Sequence, residues 1–180
     1  MNSFALFTDV SVNPPRKLGI GGYLLLPLQY LEVEPDNIQR NEVSTGLKTR
    51  RFAETSSTRL EVQTLLWALE DLGGKLTGCA PGGLQIYTDS QCVTGLAGRR
   101  ASLEQIGFIA KRSGRSLTNA SLYRAFYAAY DQLDFQLFKV SGHSRASYHD
   151  SVQRIFSYVD REVRKALKLW LGSDPDQINL

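Results

Sequence analysis

Apolar residues form short or alternating runs in the first third of the chain, a pattern typical of β-strands. The segments with this pattern are residues 3–9, 19–28 and, with fewer apolar positions, 46–55. Residues 12–19 contain two prolines and predict a turn, because proline donates no ladder hydrogen bond. Residues 28–46 predict an extended connection between the second and third strands.

The pattern changes to a helical period from Thr58 to about Leu72, where two glycines end the segment. The remaining predicted elements are a buried strand at 84–89, a short helix at 90–98, a helix at 118–130, a strand at 134–142 and a helix at 150–171. Three successive strands followed by alternating helices and strands indicate an α/β fold, a mixed sheet with helices packed on it. We expect one domain over residues 1–172 and a frayed tail at 173–180.

Four acidic residues stand beside or within these apolar segments. They are Asp9 and Asp89, which close the first and fourth predicted strands, Glu61 at the start of the first predicted helix, and Asp160 inside the last one. Burying several carboxylates close together is unfavourable unless positive charge neutralises them. Hard divalent cations prefer oxygen ligands, so the pattern points to a metal-dependent enzyme. If the first and fourth strands are parallel neighbours, two of these acids meet at one edge of the sheet.

Each of these acids also has an ordinary structural interpretation. Glu61 could complete a capping box with Thr58 and satisfy a backbone N–H. Asp89 could cap the helix that follows it, and Asp9 could be a turn acid. Asp160 could form a surface ion pair with Arg161 or Arg164. The joint occurrence of the four acids in this order favours the metal site.

Positive charge is concentrated in one part of the chain, which we call the basic segment, residues 99–124. Its cationic members are Arg99, Arg100, Lys111, Arg112, Arg115 and Arg124, against the single acid Glu104. The formal net charge of the whole chain is only +3, so the distribution says more than the total. A locally basic segment suits a polyanionic ligand, and an ordinary solvated face is the alternative.

Cysteine usage and hydropathy indicate the compartment. Cys79 and Cys92 lack metal-ligand spacing and suggest no disulfide framework, so we expect two unpaired thiols in a reducing cytosol. The apolar run at the start of the chain is interrupted by Asp9 and lacks the basic beginning of a signal peptide. No sequence segment approaches the length needed to cross a membrane. We therefore expect a cytoplasmic monomer without membrane contact.

The order of motifs along the chain resembles a known family, type 1 ribonuclease H. The motifs are TDVS, TRLE before an apolar helix, YTDSQ, KVSGH after a strand, and a final helix that contains VDR. The resemblance extends from Phe4 to about Leu169. It implies an α/β, ribonuclease H-like fold: a five-stranded mixed sheet, its first three strands antiparallel and the others parallel, flanked by helices.

The resemblance also implies the residues of the catalytic site. The carboxylates that match the family's metal ligands are Asp9, Glu61, Asp89 and Asp160, and His143 matches the histidine of its mobile loop. Asp150 is the alternative to Asp160, because it lies nearer His143. The implied activity is hydrolysis of the RNA strand of an RNA–DNA hybrid with two Mg²⁺ ions, for which Mn²⁺ could substitute. Asp9 would bridge both ions.

Contacts with the nucleic acid are implied as well. The residues assigned to them are Ser11, Asn13, Thr58, Gln91, Arg99, Arg100, Lys111 and Arg112, and the basic segment matches the family's hybrid-binding protrusion. Two positions depart from the family pattern. Val10 stands where glycine is usual, and Ser57 with Thr58 replaces a pair of asparagines. A non-catalytic nucleic-acid-binding module of the same fold, or another nuclease of the superfold, therefore remains an alternative.

Overall fold

A computed structural model describes residues 2–141 and 150–173 of the chain. The first two strands, β1 (Asn2–Asn13) and β2 (Leu18–Pro27), form an antiparallel hairpin. β1 is longer than the sequence predicted, because its pairing with β2 continues as far as Asn13 opposite Leu18. β3 (Lys48–Phe52) then adds to the free side of β2, again antiparallel.

The other two strands lie on the opposite side of β1. β4 (Cys79–Thr88) pairs with β1 in parallel, and β5 (Gln136–Lys139) pairs in parallel with β4. The resulting five-stranded sheet has the order β3-β2-β1-β4-β5. This arrangement confirms the predicted mixed sheet with three antiparallel strands followed by parallel ones.

Six helices flank the sheet within the described residues. They are α1 (Arg40–Gly46), α2 (Ser57–Asp71), α3 (Gly73–Leu76), α4 (Gln91–Gln105), α5 (Ala120–Leu133) and α6 (Ser151–Gly172). α4 is longer than the predicted helix at 90–98 and therefore includes the first arginines of the basic segment. None of the helices in residues 2–141 and 150–173 combines the length and apolarity that a bilayer span requires.

The alternation of side chains along the strands produces two apolar layers. On one face of the sheet, Leu6 and Ile86 pack with residues of α2, α4 and α5. On the other face, Phe7 and Ile20 pack with residues of α6. Gly21 allows α2 to approach the first face closely, since a Cβ atom there would overlap the Thr64 hydroxyl. The two layers hold α2 and α6 on opposite sides of β1.

The connection between β2 and β3 is folded, so the prediction of an extended segment at 28–46 was wrong. It contains two 3-10 turns (Leu28–Glu32 and Pro35–Asn37) followed by α1. Ile38 and Val43 anchor it to the layer beneath α6, with 2% and 1% of their surface exposed. Burial of these few apolar residues specifies the turns, and they are too widely spaced in sequence to form a periodic pattern.

Candidate active site

The site forms where β1 extends past the end of β4. The two strands pair only as far as Phe7 opposite Tyr87, and β4 ends at Thr88. Asp9 therefore lies inside β1 rather than at its end, beside the position where the chain leaves β4 and continues into Asp89. The first turns of α2 lie over the same place and contribute Glu61.

Three of the predicted carboxylates come together at this position. One oxygen from each of Asp9, Glu61 and Asp89 lies within 4.8 Å of the other two. Asp9 and Glu61 are buried, with 4% and 9% exposure, whereas Asp89 is exposed. They open into a pocket of about 520 Å³, the acidic pocket, which is also lined by Ser57, Asp160 and Arg164.

The helix-capping interpretations of Glu61 and Asp89 are wrong. α2 is capped by Ser56, whose hydroxyl accepts a hydrogen bond from the Arg59 backbone N–H at 3.4 Å. Glu61 lies more than a turn further along and points inward, so it does not cap α2 together with Thr58. α4 is capped by Ser90, whose hydroxyl accepts from the Val93 N–H at 3.3 Å. Asp89 precedes that cap and lines the acidic pocket.

Burial and mutual repulsion disfavour the charged forms of the clustered acids. The pKa of Asp9 is raised well above its usual value, first by burial and then by the charges of Asp89, Asp160 and Glu61. The pKa of Glu61 rises to about 8, through burial and then the charge of Asp89. The Oδ2 atom of Asp9 is buried and has no hydrogen-bond partner among the described residues. A bound cation would reverse this penalty.

Asp160 lies at the acidic pocket, and Asp150 does not. Asp160 lines the pocket from α6 and is near enough to raise the pKa of Asp9. It also accepts a hydrogen bond from Arg164 Nε at 2.8 Å, so the ion-pair interpretation holds as well. Asp150 caps α6, where its carboxylate accepts from the Gln153 N–H at 2.8 Å. Asp150 precedes α6 as its N-cap and Asp160 lies ten residues further along, about 15 Å along the helix axis.

The residues assigned to nucleic-acid contacts are distributed over several places. Ser11 lines the acidic pocket, and Thr58 and Gln91 lie in the first turns of α2 and α4. Asn13 accepts a hydrogen bond from the Arg16 N–H in the β1–β2 turn. His143 lies outside the described residues, so its predicted role stays a prediction. Sequence reasoning treated Arg164 only as an ion-pair partner and missed its position at the pocket, which its i,i+4 spacing from Asp160 could have indicated.

The cations of the basic segment are not all equally available to bind a ligand. Arg100 donates to both carboxylate oxygens of Asp131, with Nη2 2.9 Å from Oδ2, and its Nε is 2.8 Å from Glu104. These hydrogen bonds, with Asp131 the stronger influence, raise the pKa of Arg100 further. Arg99 lies over the ring of Tyr123. Lys111 and Arg112 are exposed in the connection between α4 and α5.

Comparison with known proteins agrees with this fold. The sequence model of one family, RNase H, matches residues 1–165. The chain therefore belongs to the RNase H family, whose members are nucleases acting on the RNA strand of RNA–DNA hybrids. This confirms the resemblance noted from the sequence motifs.

The fold also matches a solved structure. The foamy viral protease-reverse transcriptase in complex with dsDNA is similar to this chain with a TM-score of 0.59 and 13% sequence identity. The similarity covers 91% of this chain and 96% of that one. At this identity the likeness concerns the fold alone. No curated protein matches the chain.

Proposed function

We propose that this chain is a metal-dependent endonuclease that hydrolyses the RNA strand of RNA–DNA hybrids by a two-metal-ion mechanism. One observation carries the proposal: oxygens of Asp9, Glu61 and Asp89 converge within 4.8 Å although two of these side chains are buried. A binding module for polyanions gains nothing from such an acidic cluster, which repels phosphate. An enzyme that holds cations against a phosphodiester requires it.

The donor set fits hard divalent cations such as Mg²⁺, with Mn²⁺ as a substitute. Asp9, Glu61 and Asp89 would hold one ion, and Asp9 with Asp160 would hold the second. The unpartnered Oδ2 atom of Asp9 supports its assignment as the shared ligand. Bound there, the ions would activate a water, neutralise charge on the phosphate and stabilise the leaving oxygen.

The surrounding residues would orient the acids and the substrate. Arg164 holds the carboxylate of Asp160 through its Nε, which restricts that side chain on α6. Glu61 and neighbouring backbone groups at the start of α2 would recognise the 2′-hydroxyl that distinguishes RNA from DNA. His143 would assist proton transfer or product release. The raised pKa values of Asp9 and Glu61 mean that cation binding displaces protons, so cation affinity increases with pH.

A substrate panel tests this proposal. The purified chain is incubated with labelled RNA–DNA hybrid, duplex DNA and duplex RNA, each with Mg²⁺, Mn²⁺ or a chelator. We expect internal cleavage of the RNA strand of the hybrid alone, and only with a divalent cation. Preferential cleavage of either duplex would assign the chain to a different nuclease class of the same fold.

A binding-only module is the second candidate, and Val10 supports it. This side chain lines the acidic pocket at a position where family members usually have glycine. Calorimetric titration with Mg²⁺ separates the two candidates. A catalytic site takes up divalent ions and loses that uptake in Asp9→Asn, whereas a binding-only module shows no uptake in either protein.

A further inference from the structure

A second cationic surface lies outside the acidic pocket, on the face of the sheet that α6 covers. We call it the α6 basic surface; its residues are Arg51, Arg161, Arg164, Lys165, Lys168 and Trp170. It is separate from the basic segment, because α4 and α5 pack on the other face of the sheet. Nothing in the proposed mechanism uses it beyond Arg164.

The sheet register places Arg51 beside α6. Arg51 lies opposite Ile20 on β2, and Ile20 belongs to the apolar layer beneath α6. The guanidinium of Arg51 sits 5.1 Å from the centre of the Trp170 ring. Together with Leu169, these residues line a cleft of about 500 Å³ between β3 and the last turns of α6. Stacking on the indole ring holds the guanidinium in place while leaving its N–H donors accessible.

The exposed side of α6 connects this cleft with the acidic pocket. Arg164 lines the acidic pocket, and Lys168 is exposed one turn further on. Leu169, which lines the cleft, keeps 64% of its surface exposed. Asp160 and Trp170 are ten residues apart on α6, about 15 Å along the helix. Cations therefore follow one another from the acidic pocket to the cleft.

Two cations of this surface have no neutralising partner in the described part of the chain. Within residues 2–141 and 150–173, Arg51 and Lys168 form no ion pair and no side-chain hydrogen bond. Arg100 in the basic segment, by contrast, is neutralised by Glu104 and Asp131. Charged residues on an edge strand discourage aggregation, and this role would account for the basic residues of β3. It does not explain Lys168 on a helix, or the cleft behind Arg51.

We propose that the α6 basic surface binds the phosphate backbone of nucleic acid that extends beyond the acidic pocket. The inference rests on the proposed function, because it takes the acidic pocket as the centre of the bound substrate. A length of about 15 Å corresponds to four or five phosphates of one strand. Continuity with the acidic pocket favours nucleic acid over an acidic peptide. The expected contacts are with phosphates and are therefore independent of base sequence.

Salt titration of binding tests the inference. The variants Arg51→Gln and Lys168→Gln are compared with Lys75→Gln, which removes the same charge from an exposed position on α3. All are made in an Asp9→Asn background to prevent cleavage, and binding of a labelled hybrid of about 20 base pairs is measured by anisotropy with Mg²⁺. Each lost phosphate contact lowers the slope of log K against log salt by about 0.9. We expect that change for Arg51→Gln and Lys168→Gln and none for Lys75→Gln.

The possible outcomes separate this inference from the proposed function. If the slope falls only in the two surface variants, the inference stands, even if the chain with Asp9 intact cleaves no hybrid. If the slope falls equally in Lys75→Gln or is unchanged throughout, the inference is overturned, even if cleavage is normal. The inference is also overturned if the variants lose binding to a poly-glutamate peptide but keep normal binding to the hybrid. That result would assign the surface to an acidic protein. Lys168→Gln disturbs no described contact and remains informative if Arg51→Gln fails to fold.

Discussion

The acidic pocket and the ion-pair cluster around Arg100 are both groups of charged side chains, but the first brings like charges together and the second pairs opposite charges. At the acidic pocket, like charges are collected and partly buried, and the pKa values of Asp9 and Glu61 rise as a result. Around Arg100, opposite charges meet at the surface, and hydrogen bonding to the guanidinium lowers the pKa of Asp131. The first arrangement opposes folding in the absence of a ligand, and the second does not.

The difference indicates which charges serve a ligand. A cluster whose charges are paired with one another needs no further partner, and surface ion pairs contribute little to stability. A cluster of like charges is unfavourable by itself, and clusters of this kind are concentrated at functional sites. This criterion selects Asp9 and Glu61, whose pKa values rise, over the arginine at the centre of the basic segment. The predictions below test it, beginning with the largest expected effect.

Removing a carboxylate from the acidic pocket should nearly abolish hydrolysis. We expect Asp9→Asn and Asp89→Asn each to lower kcat on the hybrid about a thousandfold or more, since metal ions contribute several kcal/mol to such transition states. The measurement is single-turnover cleavage with Mg²⁺. Asp134→Asn is a matched control, because Asp134 is exposed in a left-handed conformation that asparagine also adopts. Near-normal rates in either pocket variant would end the proposal.

The fourth carboxylate should be Asp160 rather than Asp150. We expect Asp160→Asn to lower kcat about a hundredfold, because its carboxylate lines the acidic pocket. Asp150→Asn should retain activity, since asparagine caps helices as well as aspartate does. Mg²⁺ titration of the two variants adds a readout that does not depend on turnover. The reverse pattern would transfer the metal-binding role to Asp150.

The stability of the metal-free chain should fall as pH rises. The pKa of Glu61 increases from 4.5 to about 8 on folding, so the folded state binds the proton more tightly. Its stabilising contribution is complete below pH 4.5 and is lost as pH rises through about 8. We expect a slope of up to about 1.4 kcal/mol per pH unit from this group in that window. Urea unfolding with a chelator at several pH values measures it.

Two comparisons identify the source of that pH dependence. Glu61→Gln should flatten the profile and raise stability at pH 8 in the chelator, whereas the exposed Glu70→Gln on the same helix should change neither. Saturating Mg²⁺ should restore the stability of the unmodified chain at high pH. A profile that stays equally steep in Glu61→Gln would mean that Glu61 is not its cause.

The smallest expected effect concerns the basic segment. Arg112→Gln should lower the salt slope of hybrid binding by about 0.9, the value for one lost phosphate contact. Arg100→Gln should lower it less, because the donors of Arg100 already bind Asp131 and Glu104. Equal effects would show that ion pairing within the chain does not remove an arginine from the binding surface.

Much of the fold could be predicted because its elements have strong local patterns. The apolar period of α2 and α6 and the buried run that ends at Thr88 are visible in sequence. The ends of elements were less predictable. β1 continues past Asp9 only because β2 pairs with it there, and α4 continues past Gly98 because Leu103 packs into the core. The β2–β3 connection was misjudged because Ile38 and Val43 are isolated apolar residues.

The sequence by itself determined the order of the acidic residues, the type of secondary structure that carries each, and the family to which the chain belongs. These depend on local patterns and on motifs that can be compared position by position. Only the tertiary structure decided that Asp160 lines the acidic pocket while Asp150 caps a helix, that Glu61 is no capping residue, and that Arg100 is neutralised. The place of Asp160 at the pocket and the pairing of Arg100 with Asp131 depend on distances between elements far apart in the chain, which arise only when the sheet and its two apolar layers assemble. The two caps are local contacts, but they depend on the residue at which each helix begins, which the sequence pattern did not fix.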